Sequence, residues 1–147
     1  HRRDFGLDAR TNLVIAGSSS TAEYVCAQRI RTRAMATFAR ALGSVDAIVT
    51  PATGQVAPRI DPASIPLGGS DLSMTTEVMR FAFTSNLTGH PAISFPAGYD
   101  SGGMPIGLQA IGRPWDERLL FRIAATAEGL VERRAPRRWY PSLEPAA

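Results

Sequence analysis

Apolar positions recur along the chain in two rhythms, and each change of rhythm marks a new element. From Ser20 to about Leu42 the residues Ala27, Ile30, Ala34, Phe38 and Leu42 fall three or four apart, the spacing of one helical face. Ser20-Thr21-Ala22-Glu23 opens this segment with the spacing of a capping box, and Gly43 predicts its stop. Arg29, Arg33 and Arg40 take the other face. Ahead of it, Leu13-Val14-Ile15-Ala16 and Gly17 read as the end of an earlier element leading into a serine loop. Asp46 to Thr50 is then a compact apolar run closed by Pro51, the pattern of a buried strand. Residues 51–70 hold Pro51, Pro58, Pro62 and Pro66 with Gly54, Gly68 and Gly69 and keep no period, which predicts a long loop or flap.

A second helical pattern starts at Asp71 or Ser73 and runs through Met74, Val78, Phe81 or Ala82, and Ser85, with Gly89 beyond its end. The densest stretch follows, Asn86 to Gly98 and then Met104 to Trp115. Both halves read as short apolar strands, and Gly98-Tyr99-Asp100-Ser101-Gly102-Gly103 has the composition of the turn between them. This pair is expected to form the sheet on which the chain packs. Asp116 then predicts an N-cap, with Trp115 and Leu120 at hydrophobic-staple positions. Leu119, Leu120, Ile123, Ala124, Ala127, Leu130 and Val131 supply the buried face of this third helix. The tail from Arg133 is basic and proline-bearing, with Trp139 and Tyr140 as candidate anchors.

Composition narrows the classes. At 147 residues the chain is at most one domain. Hydrophobic content of 44% fits a globular chain rather than a disordered one. No apolar run nears the roughly 20 residues that span a bilayer. The start, His1-Arg2-Arg3-Asp4, has neither a methionine nor an apolar core, and reads as the middle of a longer protein without a secretory leader. One cysteine, Cys26, rules out an internal disulfide framework and fits a reducing compartment. The expected location is intracellular, in the cytoplasm or peripheral to a membrane.

Charge sharpens the chemistry more than it sharpens the class. The 16 basic side chains are all arginine, and lysine is absent. Arginine binds anions and pairs carboxylates but is a poor catalytic base. Gly17-Ser18-Ser19-Ser20-Thr21 has the look of a nucleophile loop, yet a serine nucleophile needs a base within reach. His90, directly before Pro91, is the only histidine inside a structured region, and no carboxylate lies close in sequence to orient it. Ser20 therefore reads as a helix cap and His90 as a packed, hydrogen-bonded residue at a strand mouth. Cys26, flanked by Val25 and Ala27, reads as an inert buried hydrophobe. Two histidines and one cysteine, scattered, do not make a metal site. The arginines lack interleaved aromatics and a binding motif, so nucleic acid is not an expected partner. The glycine pairs Gly68-Gly69 and Gly102-Gly103 lack phosphate-loop spacing. No cofactor is expected.

Several ordered blocks identify the chain more specifically. Asn86-Leu-Thr-Gly-His-Pro-Ala-Ile-Ser-Phe-Pro-Ala-Gly98, Pro105-Ile-Gly-Leu-Gln-Ala-Ile-Gly-Arg-Pro114, Glu117-Arg-Leu-Leu120 and Glu128 resemble the C-terminal part of amidase signature enzymes. Tyr24, Arg29, Phe38 and Asp46-Ala-Ile-Val-Thr-Pro51 fit the same family in the same order. Within it, Gly68-Gly-Ser-Asp71, Met79-Arg-Phe81, Gly98-Tyr-Asp100 and Gly112-Arg-Pro-Trp115 look most like the plant-type fatty acid amide hydrolases.

The resemblance implies an α/β fold with a mixed central sheet flanked by helices, of which residues 1–147 form the C-terminal part of a single domain. It implies hydrolysis of carboxylic amides such as N-acylethanolamines by a serine nucleophile, a cis-bonded serine and a lysine, with backbone amides as the oxyanion hole. In the family those groups lie N-terminal to the blocks matched here, so no catalytic residue carries over. The substrate channel is expected to use Thr50, Pro51 and Thr53 after the first strand, and Met79, Phe81, Phe83, Thr84 and Asn86 before the hub. The expected partners are a small-molecule amide, the missing N-terminal part of the same domain and, in assembly, a homodimer; the basic tail hints at a membrane surface. Alone, the chain is expected to lack amidase activity and to self-associate through an uncovered sheet edge and apolar helix faces. The alternative is a noncatalytic binding or assembly module derived from an amidase fold.

Overall fold

The computed structural model describes residues 4–58 and 72–134, apart from the side chains of Asp8 and of residues 72–75. The expected flap lies mostly in residues 59–71, outside the described residues, as do the Gly68-Gly69 pair, the Asp71 cap, Arg137, Arg138, Trp139 and Tyr140.

The element ahead of the serine loop is a helix, α1 (Leu7–Gly17). Its Leu7, Leu13, Val14 and Ile15 are all exposed. The second helix, α2 (Thr21–Leu42), opens on the capping box that the sequence predicts. Ser20 Oγ accepts from the Glu23 amide at 3.2 Å, and Glu23 Oε2 accepts from the Ser20 amide at 2.7 Å. Gly43 is its C-cap. Of its expected apolar face, Leu42 is buried and Ala34 and Phe38 are half-buried, but Ile30 is exposed. Cys26 is exposed too, which corrects its reading as a buried hydrophobe: the periodicity is real, but no described element covers that end of the helix.

Three strands follow the expected order. Strands β2 (Ala92–Tyr99) and β3 (Pro105–Ile111) pair antiparallel, and β1 (Ile48–Pro51) pairs antiparallel with the other side of β3. The order is β1-β3-β2. Asp100 closes the hairpin: its amide donates to Met104 O at 2.9 Å and its Oδ1 accepts from Met104 N at 2.8 Å. Gly103, at φ 82°, supplies the left-handed residue the turn needs. The register slips between Pro96 and Gly98, where proline cannot donate to the ladder.

Side chains alternate across a strand, so β3 divides its residues between two faces. Leu108 and Ala110 turn to α5 (Glu117–Glu128) and pack with Ile93, Phe95, Leu120, Ile123 and Ala124. Burial along α5 stops at Ala127, because Gly129 caps the helix and Leu130 is exposed beyond it. Asp116 occupies the N-cap position without a side-chain hydrogen bond, and Trp115 is 93% exposed, so the expected staple to Leu120 is not formed. Trp115 adopts a left-handed backbone at φ 69°, which swings its ring away from the helix it precedes.

The second helical pattern is two helices, α3 (Leu72–Met79) and α4 (Ala82–Thr88). In an unbroken helix Val78 O would accept from residue 82; instead the Gly54 amide donates to it at 3.4 Å, and Arg80 N turns back to Glu77 O. Gly89, left-handed at φ 75°, ends α4 where the sequence predicts.

Candidate functional site

The face of the sheet opposite α5 is polar at its centre. Gln109, buried in the middle strand, reaches out from it. Its side-chain Nε2 donates to Thr50 Oγ1 and to the Phe81 carbonyl, both at 3.0 Å. Thr50 Oγ1 can accept because its own hydrogen goes to Pro51 O at 3.1 Å. One amide thus fixes β1 and the α3–α4 junction to β3. The loop after β1 is held to the same junction by the Gly54–Val78 bond, and a Cβ at Gly54 would collide with the Glu77 carbonyl. In that loop Thr53 donates to Gln55 O at 2.8 Å.

These contacts bring part of the expected channel wall together. Thr50 and the Phe81 carbonyl meet at the Gln109 node, with Pro51 and Thr53 next along the chain from Thr50 and Met79 two residues before Phe81. Met79 and Phe81 are half-buried. The rest of the set divides around α4. Thr84 is half-buried beside buried Ser85 and Thr88, while Phe83 and Asn86 are exposed and Asn86 faces a separate cleft. The eight residues therefore do not form one surface. Gln109 is absent from the sequence expectation, although a lone amide inside the run Ile106-Gly-Leu-Gln-Ala-Ile111 is a readable signal: a buried polar group needs partners.

At the far end of α4 lies a second feature, an open cleft of about 1110 Å³ between α2, α4 and the start of α5. Met35, Ala39 and Leu42 line one wall, Ser85, Asn86 and His90 the floor, and Trp115 the rim. Arg31 Nε closes one side by donating to Leu87 O at 2.6 Å. Arg113 closes the other: its guanidinium donates to Leu42 O and Val45 O, each at 2.9 Å, and meets Asp46 Oδ1 at 3.4 Å. It caps the carbonyl end of α2, a task for which its planar fork of donors is suited.

His90 is buried in the cleft floor, with its ring centroid 5.3 Å from that of Phe38. Thr88 Oγ1 donates to Thr84 O at 2.8 Å, so it receives the Nδ1 hydrogen of His90 at 2.9 Å. A hydroxyl rather than a carboxylate orients the ring, in accord with a structural histidine. Among the described residues the Ser85 hydroxyl, also buried, finds no hydrogen-bond partner. Among the described residues no group of histidine, cysteine and carboxylate side chains could hold a metal ion. No helix described is long and apolar enough to cross a membrane.

The Ser20–Glu23 box, remote from both regions, perturbs a titration of its own. The Ser20 backbone amide, and then its hydroxyl, hold the Glu23 carboxyl below the ordinary carboxylate range.

Known proteins share this architecture. A family model described as Amidase covers residues 3–121. A fatty acid amide hydrolase of Medicago truncatula is 48% identical over 138 residues, which is 92% of this chain and 23% of that protein. The solved structure of a 6-aminohexanoate cyclic dimer hydrolase superposes with a TM-score of 0.60 at 28% identity, over 76% of this chain and 25% of that one. A bacterial aryl acylamidase of the amidase signature family shares the fold, with a TM-score of 0.65 at 20% identity over 88% of this chain and 27% of its own. The chain spans about a quarter of the length of these relatives. With a family model matched over most of its length, and with β2 and β3 formed from the middle of the Asn86–Trp115 stretch while Asn86–Thr88 ends α4, the chain belongs to the amidase family.

Proposed function

We propose that this chain is the C-terminal part of an amide hydrolase acting on fatty acid amides such as N-acylethanolamines, and that it supplies scaffold and substrate wall rather than the reactive groups. The single observation behind this reading is the 48% identity to a fatty acid amide hydrolase in a chain that holds no lysine. A serine–serine–lysine relay needs a lysine to move the proton, so the relay belongs to the rest of the domain. The chemistry of the wall agrees with an acyl substrate. Met79 and Phe81, half-buried at the α3–α4 junction, are apolar, as a wall that receives an aliphatic chain requires. No metal or organic cofactor is called for by this mechanism.

The test is a substrate panel on the protein that joins this chain to the remaining domain. A long-chain N-acylethanolamine should be turned over faster than a short primary amide such as acetamide. Phe81→Ala should raise KM for the long substrate and leave the short one unchanged. Equal turnover of both substrates, with Phe81→Ala indifferent to chain length, would reject the fatty acyl assignment.

A further inference from the structure

The α3–α4 junction is placed by bonds that come from elsewhere in the chain. At eight and seven residues, α3 and α4 are too short to hold a position by themselves. Phe81 is the N-cap of α4 and makes no side-chain capping bond. Its carbonyl is held instead by Gln109 Nε2 at 3.0 Å, and the same nitrogen holds Thr50 Oγ1 at 3.0 Å. An amide nitrogen carries two hydrogens, so this one group spends both on aligning β1 with the junction. Gln109 is 7% exposed and sits in the middle strand, whose neighbours on either side fix its backbone. From the loop after β1, the Gly54 amide donates to Val78 O at 3.4 Å. The half-buried side chains of Met79 and Phe81 lie between these two ties. A rigid strand, rather than the helices they border, decides where they stand.

We infer that Gln109 is a positioning residue for substrate selection: by holding the Phe81 carbonyl it sets the wall on which an acyl chain lies, and with it the preference for long over short amides. The inference rests on the function proposed above and adds the residue that controls its selectivity. Gln109 acts through Met79 and Phe81 and needs no contact with the reacting amide. A binding wall works only as well as the shell that holds it in place. Acetamide has no chain to lay on this wall, so a displaced junction weakens the binding of long substrates and leaves the chemical step to groups outside this chain. A general loss of folding behaves differently, because it lowers the active fraction for every substrate alike.

The test uses the protein that joins this chain to the remaining amidase domain, with a long-chain N-acylethanolamine and acetamide as substrates. Gln109→Met, close to glutamine in length but without a donor, should raise KM for the long substrate roughly tenfold. It should alter kcat for that substrate, and turnover of acetamide, far less. Gln109→Asn, one methylene shorter and unable to span both oxygens, should fall between Gln109→Met and the parent. Leu120→Ala, in the core on the opposite face, lowers stability without touching the junction. It should keep the parent's ratio of long to short kcat/KM, from which any unfolded enzyme cancels. A parent that turns over the two substrates equally sinks the proposed function, and this inference with it. A parent that prefers the long substrate while Gln109→Met keeps that preference, or while Leu120→Ala erodes it equally, overturns the Gln109 assignment alone. Failure of both Gln109 variants to fold would do the same, since the amide would then be general core.

Discussion

The two faces of the sheet are built on opposite plans. Against α5 the packing is dry and closed: Phe95, Ala110, Leu120 and Ala124 are buried together, with Ile93, Leu108 and Ile123 around them. Opposite, a buried amide holds the strands to a helix junction through two hydrogen bonds, and the neighbouring cleft is open, with a hydroxyl in its floor that is unpaired among the described residues. Hydrophobic contacts tolerate a change of partner, whereas hydrogen bonds fix atoms in place. The first face is closed by apolar packing alone; the second buries Ile111 beside a hydrogen-bonded node and leaves a cleft open.

The sharpest way to break this contrast is to remove apolar volume from each side. Leu120→Ala should cost about 2–5 kcal/mol in urea unfolding, the usual range for a buried leucine. Met35→Ala, on the cleft wall, should cost under about 1 kcal/mol, because its side chain is already partly in water. Similar losses would erase the distinction. The next effect concerns the node. Gln109→Leu leaves Thr50 Oγ1 and Phe81 O without their donor and should cost about 1–3 kcal/mol. It should also accelerate amide exchange in α4 while leaving α5 protected; uniform acceleration would mean that the amide is general core rather than a clamp.

A smaller effect tests the open face directly. In the isolated chain Ser85→Ala should fall within about 0.5 kcal/mol of the parent or be more stable, since no hydrogen bond to a described residue is lost. A clear destabilisation would reveal a partner for that hydroxyl. The smallest effect is at the start of α2. Glu23 titrates below the ordinary carboxylate range when folded, so its contribution is present above that range and lost as pH falls through the folded value. Acidification should release the amides of the first turn of α2 and leave its last turn unchanged; Glu23→Gln, which keeps a side-chain acceptor, should remove the pH dependence.

What the sequence disclosed follows the range of the forces involved. The Ser20–Glu23 box, the Gly89 cap, the hairpin at Asp100 and the inner face of α5 are set by neighbours a few residues apart, and each was legible. The break between α3 and α4 was not, because Val78 O is engaged by Gly54 from the preceding loop. The Trp115–Leu120 staple has the right spacing but fails on one backbone angle, φ 69° at Trp115. Cys26 illustrates another limit: period reveals an apolar face, but not whether an element lies over it. The site was legible in part. Thr50 and the Phe81 carbonyl meet at one node, whereas Phe83 and Asn86 are exposed and take no part in it, and Gln109 emerges only once its partners are seen.

The central claim is that this chain carries the wall of an amide hydrolase without its reactive groups. It is tested most directly by the turnover of a long-chain N-acylethanolamine by the purified 147-residue chain, before and after addition of the remaining amidase domain. No ethanolamine should be released by the chain alone, and hydrolysis should appear once the two are joined. Steady turnover by the chain alone, abolished by Ser20→Ala or His90→Ala, would contradict it.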